Sequence, residues 1–124
     1  MATYPIKSGE VSIVPVKIYG PHGKVIVHAI VDTGATFTMF PPALLASIGL
    51  IPSSENLIKI ITASSIEYVP QLKLTALEFL GKKIEQVDVV SHILPQGMPA
   101  QGLIGVNAFQ NFRLTFDYPN ELLL

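Results

Sequence analysis

The 124-residue sequence contains no cysteine and no tryptophan. Without cysteine, disulfide bridges, thiolate metal sites and a cysteine nucleophile are excluded, and nothing calls for an oxidising compartment. Charge is also scarce, at 14% of residues with a formal net charge of -1. The eight basic residues are scattered from Lys7 to Arg113 and form no run, so neither nucleic acid nor anionic lipid is expected as a partner. The start, "MATYPIKSGEVS", has no basic cluster followed by an apolar core. A signal peptide is therefore not expected, and the expected location is cytoplasmic. One uncharged stretch, Thr33 to Ser54, is long enough to span a bilayer, but Pro41, Pro42, Pro52, two glycines and several hydroxyls break it. It reads as irregular soluble structure, with no membrane partner.

What the chain does have is 49% hydrophobic content and ten prolines. Together with its length, this suits one domain over residues 1–124 with a modest core and no room for a second. The pattern is mostly that of strands. Val11 to Tyr19 alternates loosely, "GPHG" (Gly20 to Gly23) supplies a turn, and Lys24 to Val31 is a nearly continuous apolar run. Pro15 cannot donate to a ladder, which places the first strand at an edge or requires a bulge. "PPALLASIGL" predicts a helix of about two turns, with Leu44, Leu45 and Ile48 on one side and Gly49 as its stop. Leu57 to Ile61 and Ile66 to Leu80 predict a hairpin around the polar tip "TASS", its second arm interrupted at Pro70. "LGKK" is a further turn, Ile84 to Val90 a strand, Leu94 to Gly102 a loop, Val106 to Asn111 a helical turn and Phe112 to Tyr118 a final strand before an apolar tail. The fold class is mainly β, a closed or partly open barrel or sandwich with one or two short helices.

Against this background Asp32 is out of place, because a carboxylate is costly to bury and aspartate is disfavoured in strands. It follows directly on "VIVHAIV". One reading makes it a turn residue whose carboxylate caps nearby backbone N–H groups, with Gly34 easing the backbone. The other makes it half of a catalytic pair. The remaining candidates are weaker. His22, His28 and His92 are far apart and lack a metal spacing, Ser64 and Ser65 are not in a nucleophile elbow, and no phosphate loop is present. No metal or cofactor is expected.

Asp-Thr-Gly-Ala after an apolar strand, a hydroxyl at Thr36, and "LIG" at Leu103 to Gly105 some seventy residues later resemble the retroviral-type aspartic proteases. The closing segment "GLIGVNAFQNFRLTFDYPNELLL" is similar to that of the single-domain, retropepsin-like proteases of cellular organisms. The resemblance runs from about Val11 to the end and implies the acid-protease fold and peptide-bond hydrolysis by an aspartate pair. On it, Asp32 is catalytic, Thr33, Gly34 and Ala35 form the active-site loop, and the Thr33 hydroxyl braces two such loops across an axis. Thr62, Ala63, Ser64 and Ser65 form the tip of a flap over an extended peptide, and Leu103, Ile104 and Gly105 pack beneath the loop as structural support.

The family's chemistry needs two aspartates, and the chain's others, Asp88 and Asp117, are not followed by Thr-Gly or Ser-Gly. A two-lobed monomer is excluded, so an active enzyme is expected to be a homodimer acting on a peptide or protein substrate. The terminal "ELLL" is expected to pair across the interface. Two features depart from the family pattern: the flap tip has no glycine, and Val106 and Asn107 stand where viral enzymes often carry an interface arginine, so apolar contact is expected to hold the dimer. The alternative to a protease is a noncatalytic peptide-binding or scaffold domain on the same fold.

Overall fold

The computed structural model describes residues 4–5, 11–61, 64–120 and 122–123, with the backbone alone at Tyr4, Leu122 and Leu123. The described elements are β1 (Tyr4–Pro5), β2 (Ile13–Gly20), β3 (Gly23–Val31), β4 (Thr38–Phe40), α1 (Pro42–Ser47), β5 (Leu57–Ile61), β6 (Ile66–Phe79), β7 (Lys82–Ser91), β8 (Gly102–Ile104), α2 (Val106–Phe109), β9 (Phe116–Asp117) and β10 (Leu122–Leu123). The order β2-β3-β8-β4-β7-β6 closes on itself through a β2–β6 pairing, which makes a six-stranded barrel with β5 added beside β6.

Alternation drives this closure. Val14, Val16 and Ile18 on β2 point inward and are almost fully buried, while their neighbours are partly exposed. They meet Phe40, Leu45, Leu74, Leu77, Val89 and Ile104, none of which is exposed. A fully buried side chain of this size contributes roughly 1.5–3 kcal/mol, so the inner face is the main favourable term. The end of β3 differs: there it is paired on both edges, with β2 and β8, and the consecutive residues Ala29, Ile30 and Val31 are all buried. The strand that leads to Asp32 therefore has both faces covered.

The expected elements are mostly present, with corrections. The β2–β3 register runs from Ile13↔Ile30 to Gly20↔Gly23 without a bulge. Val31 N–H donates to Ser12 O (2.8 Å), and the antiparallel alternation then makes Pro15↔His28 a non-hydrogen-bonded pair. The proline nitrogen faces the other edge, where pairing with β6 begins only at Val16. Pro70 does not interrupt its strand. β6 is continuous because Pro70 sits where it changes partners, from β5 (Ile66 to Pro70) to β7 (from Gln71). The final strand is shorter than expected, Phe116–Asp117 in place of Phe112 to Tyr118, and the helical turn ends at Phe109. Thr38–Phe40, read as irregular, is a strand buried between β7 and β8.

α1 occupies the expected stretch and buries Leu45 and Ile48. Leu50 N–H donates to Leu45 O (2.9 Å) and Gly49 N–H to Ala46 O (3.0 Å), and Gly49 takes φ +91°. This is a Schellman ending, which requires the left-handed backbone that glycine adopts freely. In the tail, β10 pairs with β9 on one edge and with β1 on the other within the one chain. No helix of the described residues is long and apolar enough to cross a membrane.

Candidate active site

Asp32 emerges where β3 leaves the barrel, and its position is fixed from both sides. Asp32 N–H donates to Ile104 O (3.0 Å) on β8, continuing the parallel ladder that pairs Val31 with Ile104. The chain then turns tightly. Gly34 N–H donates to Asp32 Oδ1 (2.8 Å) and Ala35 N–H to Asp32 O (3.2 Å). An amide donating to an ionised carboxylate makes a stronger bond than one between neutral groups and fixes the direction of the side chain. A methyl group at Gly34 would lie 3.2 Å from Oδ1, so the glycine allows this close approach.

The "LIG" motif lies against that loop. Ile104 is fully buried. Gly105 has no room for a side chain, since a Cβ would sit 2.5 Å from Phe37 O and 2.9 Å from Ala35 O. Beyond it, Val106 N–H donates to Ala35 O (2.8 Å) and Asn107 N–H to Thr36 O (3.2 Å). The segment from Ile104 to Asn107 thus ties down the backbone on both sides of Asp32. Leu103 is half-buried and also lines the cleft beside Asp32.

Sequence reasoning missed the side chains that hold this arrangement together. Asn107 Oδ1 accepts from Thr38 N–H (2.9 Å) and Thr38 Oγ1 (2.8 Å), and its Nδ2 donates to Asp88 O (2.7 Å). The Thr38 hydroxyl in turn accepts from Gly105 N–H (3.2 Å). One amide therefore links β4, β7 and the start of α2. The available signal was polar residues inside otherwise apolar runs, Thr38 in "FTMF" and Asn107 in "GVNAF". Both must find partners if buried.

Asp32 and Thr33 border an open cleft of about 370 Å³ lined also by Val11, Ile30, Leu103, Met98 and Phe116. Its lining is mixed, with Ser12, Thr33 and Tyr118 beside the apolar side chains, so it offers both apolar contact and polar groups next to a carboxylate. Met98 comes from the loop after β7 and Phe116 from β9, both far from Asp32 in sequence. Neither of the other aspartates lines the cleft. Asp88 pairs with Lys73 (3.3 Å), and the Asp117 carboxylate accepts from the backbone and side-chain amides of Asn120 (3.2 and 2.9 Å). Among the described residues no three His, Asp or Glu side chains gather as a metal site. Of the expected flap tip, Ser64 and Ser65 are exposed, and Thr62 and Ala63 lie outside the described residues. Asp32 and the loop Thr33 to Ala35 are brought together with Leu103 to Gly105, while Ser64 and Ser65 border the far end of the β5–β6 hairpin.

A family model described as aspartyl protease matches residues 14–108, well over half of the chain and inclusive of both motifs. No curated protein matches the sequence. Among solved structures, the chain is similar to a retropepsin-like aspartic protease from Rickettsia conorii, with a TM-score of 0.70 and 14% identity over 98% of this chain and 86% of that one. At that identity the likeness is one of fold, and it is the mainly β, retropepsin-like fold that the sequence led us to expect. The chain belongs to the aspartyl protease family and has the retropepsin-like fold.

Proposed function

We propose that the protein is a homodimeric aspartic endopeptidase that hydrolyses peptide bonds in flexible, largely apolar segments. The observation that carries this reading is Asp32 held by the Gly34 amide at the border of an open cleft, with no second aspartate of the same chain lining it. A two-fold axis beside the cleft supplies the missing carboxylate from a second copy.

In that arrangement one Asp32 is ionised and the other protonated, because two carboxylates in contact cannot both carry charge. The ionised one takes a proton from a water, and the oxygen of that water attacks the peptide carbonyl. The protonated one hydrogen-bonds to the carbonyl oxygen, where negative charge develops, and the tetrahedral intermediate collapses with cleavage of the C–N bond as the leaving nitrogen takes the proton that the first carboxylate had received from water. The Gly34 hydrogen bond orients each carboxylate and limits its rotation, so little reorganisation is needed at the moment of reaction. The substrate lies extended beneath the β5–β6 hairpin, with one side chain in the cleft lined by Ile30, Met98 and Leu103. The proposed location is cytoplasmic.

A noncatalytic peptide-binding domain would keep the Asp32–Gly34 turn for its structure alone, and that hydrogen bond is the observation in its favour. Asp32→Asn separates the two readings, since the amide oxygen still accepts from Gly34 while the titrating dyad is lost. We expect cleavage of an unfolded protein substrate to fall on the order of 10³-fold or more, with fold and dimer retained. Wild-type activity should also change across about pH 3 to 8, as a shared-proton pair requires. Equal cleavage by both proteins would exclude the dyad.

A further inference from the structure

The β5–β6 hairpin is a two-stranded arm whose register runs from Leu57↔Pro70 to Ile61↔Ile66, beyond the point where β6 pairs with β7. Opposed residues share a face, so Leu57, Lys59, Ile61, Ile66 and Tyr68 lie on one side, and all are exposed. Ile58, Ile60, Glu67 and Val69 lie on the other side, and the three apolar residues pack against Phe37, Met39 and Val90 of the barrel. Apolar contact therefore seats the arm but leaves one charged residue, Glu67, on the seated face.

Glu67 meets a charge partner there. Its Oε2 is 3.4 Å from His92 Nε2, just past the end of β7, and both side chains are about two-thirds buried. The His92 backbone is itself fixed, donating its N–H to Phe40 O (3.1 Å) on β4. We infer that Glu67 and His92 form a charge latch that seats the hairpin against the barrel, closed when His92 is protonated and Glu67 ionised. They are positioning residues, since neither borders the cleft that contains Asp32.

The surroundings leave this pair to act alone. β4 has no ionisable side chain, and neither does the loop from Ile93 to Gln101. The ionisable residue of β5, Lys59, is opposite Tyr68 on the other face of the hairpin. On β6 and β7 the nearest further charges, Lys73 and Asp88, are paired with each other at 3.3 Å. Histidine is the side chain whose charge ordinarily changes between pH 5 and 8, so a histidine–carboxylate contact of this kind holds more firmly at pH 5.5 than at pH 8. A dyad that shares one proton also favours acidic solution, so hairpin seating and chemistry would be brought into the same range.

The inference rests on the protease reading for its purpose, but its test does not need activity. Amide hydrogen exchange of residues 57–61 and 66–70, corrected for intrinsic rates, is measured at pH 5.5 and 8 in wild type, His92→Gln and His92→Lys. We expect wild-type protection to be about two- to five-fold greater at pH 5.5, the size of a partly exposed ion pair. His92→Gln should be poorly protected at both pH values and His92→Lys well protected at both. The same pH dependence in wild type and His92→Gln, or none in wild type, would overturn the latch. With a cleavable peptide, His92→Gln should raise KM at pH 5.5 and leave kcat within two-fold, and an unchanged KM would also overturn it. If no peptide is cleaved while the exchange pattern holds, the protease reading fails and the latch stands.

Discussion

At the scale of single residues, the site depends on atoms that have no alternative position. The Asn107 side chain satisfies three polar groups on β4 and β7, and truncating it leaves Thr38 N–H and Asp88 O without that partner in a largely buried place. Each such loss costs about 1–3 kcal/mol, so Asn107→Ala should lower stability by roughly 3 kcal/mol in a urea titration, with the slope of the transition unchanged. Two glycines that look alike in sequence should behave differently. A methyl group at Gly105 would meet backbone oxygens at 2.5 and 2.9 Å, and one at Gly34 would meet only a carboxylate oxygen at 3.2 Å. Gly105→Ala is therefore expected to destabilise the fold by about 1–3 kcal/mol, while Gly34→Ala should leave the melting temperature nearly unchanged and act on catalysis. Asp32 stood out in the sequence because a carboxylate after an apolar strand conflicts with local preference. That of Asn107 was not, because an asparagine after "LIGV" looks the same whether it is solvated or bonded.

At the scale of elements, strand identity followed from alternation, while the partners of each strand did not. β6 was read as interrupted because proline breaks a ladder, yet Pro70 falls at the one place where β6 exchanges β5 for β7. β4 is three residues long and has no period to detect, and only its place between β7 and β8 makes it a strand. The β2–β6 seam that closes the barrel has a testable feature on its outer face. Tyr19 Oη donates to Glu78 Oε1 (2.9 Å), and Lys83 lies over the ring at 4.5 Å. The hydrogen bond to Glu78, then burial, then the Glu78 charge raise the phenol above its ordinary value of 10.0. A raised folded value means that the contribution is complete below about pH 10 and lost as pH rises through the Tyr19 titration. Between pH 9 and 11 the wild-type melting temperature should fall further than that of Tyr19→Phe, and parallel falls would contradict the assignment.

At the scale of the whole molecule, the proposed activity needs a second copy. Specific activity should drop on dilution through the dimer dissociation constant, in step with the dimer fraction seen by sedimentation. Constant specific activity from a sedimenting monomer would rule out a shared dyad. The terminal leucines bear on how the copies meet. β10 is the middle strand of its three-stranded sheet and has no open edge, so a partner reaches that sheet through β1 or β9 or through side-chain contact.

From the sequence alone came the mainly β character, the places of most turns, and the single Asp-Thr-Gly motif. Those features are local or countable, and a period of two, a glycine stop or a lone motif can be read without knowing the neighbours, whereas the link between Asp32 and "LIG" came from the resemblance to a family. Tertiary structure alone decided that β2 meets β6, that Met98 and Phe116 reach the cleft of Asp32, that β10 pairs with β9, and that Asn107 and the Glu67–His92 pair link distant strands. The physical reason is that barrel closure brings residues far apart in sequence within hydrogen-bonding distance, and a buried polar group or shared apolar surface acquires its role only when those partners arrive.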